Sequence, residues 1–352
     1  DSMRSRLSTF EKMQVTPGFK DQAAAVRVAK AALRQSPLNP RALRMLAFAD
    51  IAGGRVGRAE AKMVMADRLS RRDGATQLWL ADRRGRQGRI GDALRHIDVL
   101  LRTRPEATTP LLERLAVALA LPEARAAIKP MIVADTPWIE RFFAVAVERS
   151  ASMVPLGELV ASLREAPRLQ RLEGSYASLV YRLAGEHQYD LLRKVYVKLP
   201  GARVEDIYDV SLRSAVDPKG YRPVIWDFGS RSDRGATMLG PDEAEFFAMT
   251  DVRGVAASKA VFLKSEGQAL RFRKNEGDAG DGAAAFWRVT CVLGRAAKTS
   301  IQSRNLLEAP NGTVLRVPFP AGCGAAQIEM IVDGAMRRDP TRVVLSEIGL
   351  SR

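Results

Sequence analysis

The sequence predicts a multidomain α and β chain: an all-α superhelix of helical repeats over 1–105, divergent helical hairpins over 106–216, and an antiparallel β-sandwich over 217–352. Three observations carry this. Stretches near the amino end echo one another every 34 residues; apolar residues there recur three and four apart; and beyond Asp217-Pro218-Lys219-Gly220 the period becomes two, with frequent glycine between β-rich runs.

In the echo, Ala25, Ala59 and Ala93 are in register, as are Ala32, Ala66 and Leu100, and Gly54 with Gly88. Pro37 matches Pro105 two periods on, with Arg71 where the middle proline would fall. Leu43, Leu46 and Ala47 mark one helix face, small at Ala47 where a partner must approach, and the helix stops at Gly53-Gly54. A second helix over 56–69 places Ala59, Met63 and Ala66 on one stripe and closes near Arg71-Arg72-Asp73-Gly74. The next unit pairs 77–81 with Ala93, Ile97 and Leu100, and a half unit precedes both over 20–35. This period, with a small residue in the second helix and a closing proline, resembles the tetratricopeptide repeat across roughly residues 19–105. The resemblance implies a solenoid that binds protein partners, with Arg41, Arg44, Phe48 and Leu78 on its concave face. Asp50 and Arg84 depart from it, standing where the family usually has an aromatic residue.

From 106 the register fades while the helices continue. Thr136-Pro137 reads as an N-cap with proline at the first helical position, ahead of Trp138, Phe142 and Val145. Pro155 and Pro167 read as the starts of two more helices, the second running through Tyr176, Leu179 and Leu183 to Gly185. Helix is expected again over 187–199 and 204–214.

The candidate strands are 224–228, 245–249, 259–264, 269–274, 286–293, 300–303, 313–319, 326–332 and 341–348. Leu270 and Phe272 alternate with Arg271 and Arg273, as in a sheet with one wet face. Short strands without intervening helices predict a sandwich, similar to the jelly-roll carbohydrate-binding modules. Arg271, Arg273 and Arg288 are the candidate glycan contacts, because planar guanidinium forks suit sugar hydroxyls and uronic carboxylates. Trp226 and Trp287 could floor a sugar site, but apolar neighbours at period two favour the core.

Cys291 and Cys323, the two cysteines, form a candidate disulfide, which fits an oxidising compartment; two unlinked thiols are the alternative. The stretch Asn275 to Gly282 offers oxygen ligands at Asn275, Asp278 and Asp281, a weak candidate for calcium that a hairpin tip explains as well. No other metal or cofactor is expected. His96 and His187 have no ligand-spaced partners, and nucleotide-loop and nucleophile-elbow motifs are absent from the sequence. Asp242, Glu243 and Glu245 crowd one acidic turn, read as solvated.

The chain carries a net charge of +15, and residues 1–105 hold 22 lysines and arginines against 10 carboxylates. The densest run, Arg83 to Arg89, has no interleaved aromatic residue to stack on bases, which argues against nucleic acid; an anionic protein or glycan, or plain solvated surface, remains. No apolar run is long enough to span a membrane. The layout resembles periplasmic scaffolds of exopolysaccharide or cellulose synthesis, which implies a non-catalytic exported adaptor whose leader or anchor has been removed. A polysaccharide hydrolase or lyase and a cytoplasmic assembly scaffold are the rival readings.

Overall fold

Gly54 and Gly88, one period apart, adopt the same left-handed backbone, with φ of 72° and 73°. A Cβ at either would meet nothing within 4 Å, so the turn selects glycine for its dihedral and not for space. Each ends the first helix of a hairpin: α2 (Pro40–Ala52) turns into α3 (Val56–Leu69), and α4 (Gly74–Arg86) into α5 (Ile90–Thr103), with α1 (Gln22–Gln35) ahead of them. Asn39 caps α2, its side chain accepting from the Ala42 amide at 3.1 Å, and Pro40 occupies the first helical turn. Ala59, Met63 and Ala66 are fully buried, and Ala47, Ala59 and Met63 pack with Phe48 and Leu80.

The computed structural model describes residues 22–104, 108–134, 136–216, 220–229, 231–277, 282–334 and 339–351. Pro105 and Pro218 lie outside them. The chain divides into two compact units, Asp1–Pro155 and Leu156–Arg352.

Charge fills the two positions that depart from the repeat pattern. Asp50 accepts from Arg55 Nε at 2.9 Å and from Lys62, and these partners hold its carboxyl below the usual range. Arg84, one period later, pairs with Glu60, as does Arg83. Asp50 with Lys62 thus links the two helices of the first hairpin, and Arg84 with Glu60 links α4 back to α3 of the hairpin before it.

The first unit continues through α6 (Thr108–Ala118), α7 (Pro122–Val133) and α8 (Ile139–Glu148). Helix α8 begins after Trp138, so Thr136-Pro137 forms the preceding turn and does not cap it. Phe142, Phe143 and Ala146 are its buried face. Pro155 does not start a helix either: it sits inside α9 (Ser150–Ala161), the helix that spans the division between the units. Burial of Met153, Leu156, Leu159 and Val160 offsets the backbone bond that proline removes.

In the second unit, the helix expected from Pro167 starts later, as a 3₁₀ turn at Gln170–Leu172 leading into α10 (Glu173–Gly185), followed by α11 (Tyr189–Tyr196). The helix expected over 204–214 is broken into a 3₁₀ turn, Val204–Ile207, and one α turn, Arg213–Val216.

Among the described residues, nine strands form two antiparallel sheets. The five-stranded sheet runs β1 (Arg234–Gly240), β2 (Glu243–Ala248), β9 (Thr341–Ser351), β4 (Ala269–Glu276), β7 (Val314–Pro318); the four-stranded sheet runs β3 (Arg253–Phe262), β8 (Cys323–Asp333), β5 (Ala284–Gly294), β6 (Ser300–Gln302). Strand β1 was not legible in the sequence, and residues 224–228 are not a strand: they make only the Asp227–Ser258 bridge. Trp287 is wholly buried between the sheets, with Phe246, Phe272 and Trp226 rings each 5.9 Å away. Cys291 and Cys323 are joined in a disulfide within the same core.

Two lysines occupy inward positions. Lys259 pairs in register with the core residue Ile328 and is fully buried, its ammonium donating to the Val224 carbonyl and, at 3.3 Å, to that of Asp206. Lys274 follows Leu270 and Phe272 on one face of β4 and donates to the carbonyls of Leu307 at 3.2 Å and Ala309 at 2.5 Å. Each ammonium ties an irregular segment to a strand and satisfies carbonyls that no ladder reaches. Burial pushes Lys259 down to about 8.

Candidate functional site

The two sheets differ in what lies over them. Helix α11 packs on β5, and the Arg193 guanidinium lies 5.7 Å from the centre of the Phe262 ring of β3. The outer face of the five-stranded sheet keeps its polar side chains in solvent: Arg271, Arg273 and Arg342 retain 37%, 38% and 59% of their side-chain exposure.

A bulge shapes that face. In the β4–β9 ladder Arg271 pairs with Gly349 and Arg273 with Ser346, so Glu347 and Ile348 together oppose Phe272. Ile348 turns into the core, while Glu347 takes φ 51°, a left-handed conformation unusual for glutamate. Its carboxylate accepts from Arg273 Nε at 2.7 Å and Arg271 Nη2 at 3.3 Å, which holds it below the usual carboxylate range. Arg273 also donates to the Gly312 carbonyl at 3.0 Å.

Arg316 of β7 is the direct cross-strand partner of Arg271. It is exposed and makes no ion pair among the described residues. It also borders a cleft of about 490 Å³ at the edge where β6 and β7 end the two sheets, floored by Phe272, Ile301 and Leu315 and rimmed by Arg304 and Glu308. Three guanidinium groups, those of Arg271, Arg273 and Arg316, thus lie near the one carboxylate of Glu347 on this stretch of the exposed sheet.

The sequence-predicted residues divide accordingly. Arg271 and Arg273 meet on Glu347, whereas Arg288 lies on β5 of the other sheet, paired with Glu329 at 2.7 Å, and does not join them. Arg316 and Glu347 were missed. Arg316 sits in a Leu-Arg-Val alternation like that of β4, a usable signal; the bulge that exposes Glu347 left none. Asn275 lies on the same face, donating to Glu243 Oε1 at 2.5 Å and accepting from Ser346 at 3.2 Å; Asp278 and Asp281 lie outside the described residues. Glu243 and Glu245 belong to β2, and Glu245 pairs with Arg342, so they are strand residues and not an acidic turn. Trp226 and Trp287 are core residues, which removes them as a sugar floor.

In the first unit Arg41 is exposed, Arg44 pairs with Asp73 and Leu78 is half-buried. Phe48 is only 4% exposed and belongs to the repeat core, so it offers no surface to a partner. The dense basic run is compensated locally, Arg83 and Arg84 by Glu60, Arg86 by Asp82 and Arg89 by Asp92. His96 Nδ1 lies 2.7 Å from Gln77 Oε1, and burial lowers its pKa.

No family model matches the chain, and no curated protein matches it. Among solved structures, a distant neighbour is the carbohydrate-binding module TmCBM61 in complex with β-1,4-galactotriose, 14% identical, with a TM-score of 0.23 over 36% of this chain and 88% of that one. Among the described residues, no helix is long and apolar enough to cross a membrane.

Proposed function

We propose that the chain is a non-catalytic, exported adaptor whose helical repeats hold a protein partner and whose β-sandwich binds an acidic polysaccharide on the exposed face of the five-stranded sheet. The observation that carries the glycan half is the Arg271–Arg316 pair: like charges directly opposite in a ladder are destabilising, and an anionic ligand would compensate them. Glu347 already places a carboxylate in the forks of Arg271 and Arg273, as a uronate would. The tetratricopeptide resemblance and the hairpins of the first unit support a docking role for the repeats. The disulfide supports export to a periplasmic or extracellular compartment.

Affinity electrophoresis of the full chain through gels containing alginate, a polyuronate, or dextran, a neutral glucan, tests this. Retardation by alginate alone, weakened by salt and by Arg271→Ala with Arg316→Ala, is expected. Equal mobility in both gels at low salt would leave the sandwich without a polyanion role.

A further inference from the structure

The second unit contains another concavity, independent of the basic sheet face. It is an open groove of about 560 Å³ between α10 and the segment 220–227, lined by Ala177, Ser178, Tyr181, Tyr221, Arg222 and Asp227. That volume is within the range of small-ligand sites.

Tyr181 projects from α10 with 63% of its surface exposed. Ala177 and Ser178, four and three residues before it, share its helix face and leave room beside the ring. Across the groove Arg222 Nη1 and Asp227 Oδ1 form an ion pair at 3.0 Å, with 53% and 30% of their side chains exposed.

The far wall is preorganised. Tyr221 is wedged edge-on between Tyr176 and Tyr196, with ring centres 6.4 and 6.3 Å away, and its hydroxyl donates to the Pro200 carbonyl at 3.0 Å. Gly220 packs so closely that a Cβ would collide with the Tyr196 hydroxyl and Ile225. The backbone of Asp227 is bonded in both directions to Ser258 of β3, at 2.9 and 2.8 Å. The groove therefore sets an exposed aromatic ring and a serine hydroxyl on α10 against a charge-balanced pair of donors and acceptors carried by a backbone that is held in place.

We infer that this groove is a site for a neutral pyranose unit, the ring's C–H face lying on Tyr181 and its hydroxyls meeting Arg222, Asp227 and Ser178. The match is chemical. A flat, half-apolar ring with hydroxyls at its rim needs one aromatic face and a few mixed donors and acceptors. Because Arg222 is balanced by Asp227, the groove does not select for net charge, unlike the Arg271–Arg273–Arg316 face. Tight binding is not expected from one exposed ring, so the affinity lies in the micromolar-to-millimolar range.

Titration calorimetry of the full chain with cellohexaose, mannohexaose and maltohexaose, each at 50 and 500 mM salt, tests the site. Binding of at least one hexasaccharide that changes less than about twofold with salt is expected. Tyr181→Ala should weaken it about tenfold, Tyr181→Phe should retain it, and Arg271→Ala with Arg316→Ala should leave it unchanged. Since Tyr181 is exposed, unchanged thermal unfolding of the Tyr181→Ala protein checks its fold. No heat with any of the three sugars, or binding indifferent to Tyr181→Ala, overturns the assignment. Binding lost in the arginine variant but not in the Tyr181 variant overturns it too, by moving the sugar to the sheet. Retardation by alginate is scored separately, so failure of either site leaves the other standing.

Discussion

Arg271 of β4 and Arg316 of β7 are direct cross-strand partners, with no carboxylate between them in the ladder. Replacing one by glutamate turns repulsion into attraction. Arg316→Glu should stabilise the chain by about 0.2–1 kcal/mol, the range for a compensated cross-strand pair, while reducing retardation in alginate. Urea unfolding and affinity electrophoresis read the two effects. Loss of stability with unchanged retardation would show that the pair has a structural role instead.

Glu347 holds Arg271 and Arg273 from a bulge whose left-handed φ of 51° suits glycine better than glutamate. Glu347→Gly relieves the dihedral and frees both guanidinium groups. Alginate binding should become several-fold tighter with a steeper salt dependence, because more arginine charge is left to the ligand. Weaker binding would mean that Glu347 positions the arginines for the ligand and does not compete with it.

Much of the architecture was legible because it is periodic. The echo of Gly54 and Gly88 fixed a hairpin turn, and the alternation of Leu270 and Phe272 with Arg271 and Arg273 fixed the wet face of β4. What misled was local chemistry serving a tertiary end. Val224, Trp226 and Phe228 alternate like a strand, yet their backbone crosses the sandwich flank, where the Val224 carbonyl receives Lys259 and Trp226 Nε1 donates to the Val210 carbonyl at 3.1 Å. Arg234–Gly240 has two glycines, weak strand formers, and is an edge strand held by pairing with β2. Pro155 resembles a helix start but lies within α9, where buried neighbours compensate. The site was half visible: alternation can find Arg271 and Arg273, but a bulge that redirects Glu347 is set by the ladder.

Ala59 has no exposed surface and packs against Ala47, Phe48, Met63 and Leu80. Ala59→Leu should overpack this contact and cost about 1–3 kcal/mol. A thermal midpoint equal to that of the wild type would mean that the hairpin interior can rearrange around the added methyl groups.

The disulfide between Cys291 and Cys323 closes a loop with a sequence separation of 32. In the chain-entropy model such a closure contributes roughly 3–4 kcal/mol, so Cys291→Ala with Cys323→Ala should lower the urea midpoint. Intact mass after alkylation without reductant should show no modified thiol in the wild type. Two alkylations would leave the bridge unformed in solution.

Lys259 sets the pH dependence of the second unit. Burial lowers its pKa from 10.5 to about 8, so between those values the unfolded chain binds a proton that the folded chain has released. Unfolding free energy therefore rises with pH in that window, by at most about 1.4 kcal/mol per unit, and is flat with respect to this group below it. Tyr189 and Tyr221, pushed up to about 12 by burial, act in the opposite direction only as pH passes 10, which leaves pH 8 to 9.5 to the lysine. Lys259→Met should remove the rise. At pH 7 it exchanges the cost of a buried cation for two unpartnered carbonyls, those of Val224 and Asp206, each worth about 1–3 kcal/mol when unsatisfied. Urea unfolding of both proteins at half-unit steps from pH 7 to 9.5 should thus give a rising line for the wild type and a flat one for the variant. Parallel lines would show that Lys259 keeps an ordinary pKa in the folded chain, with water reaching its ammonium.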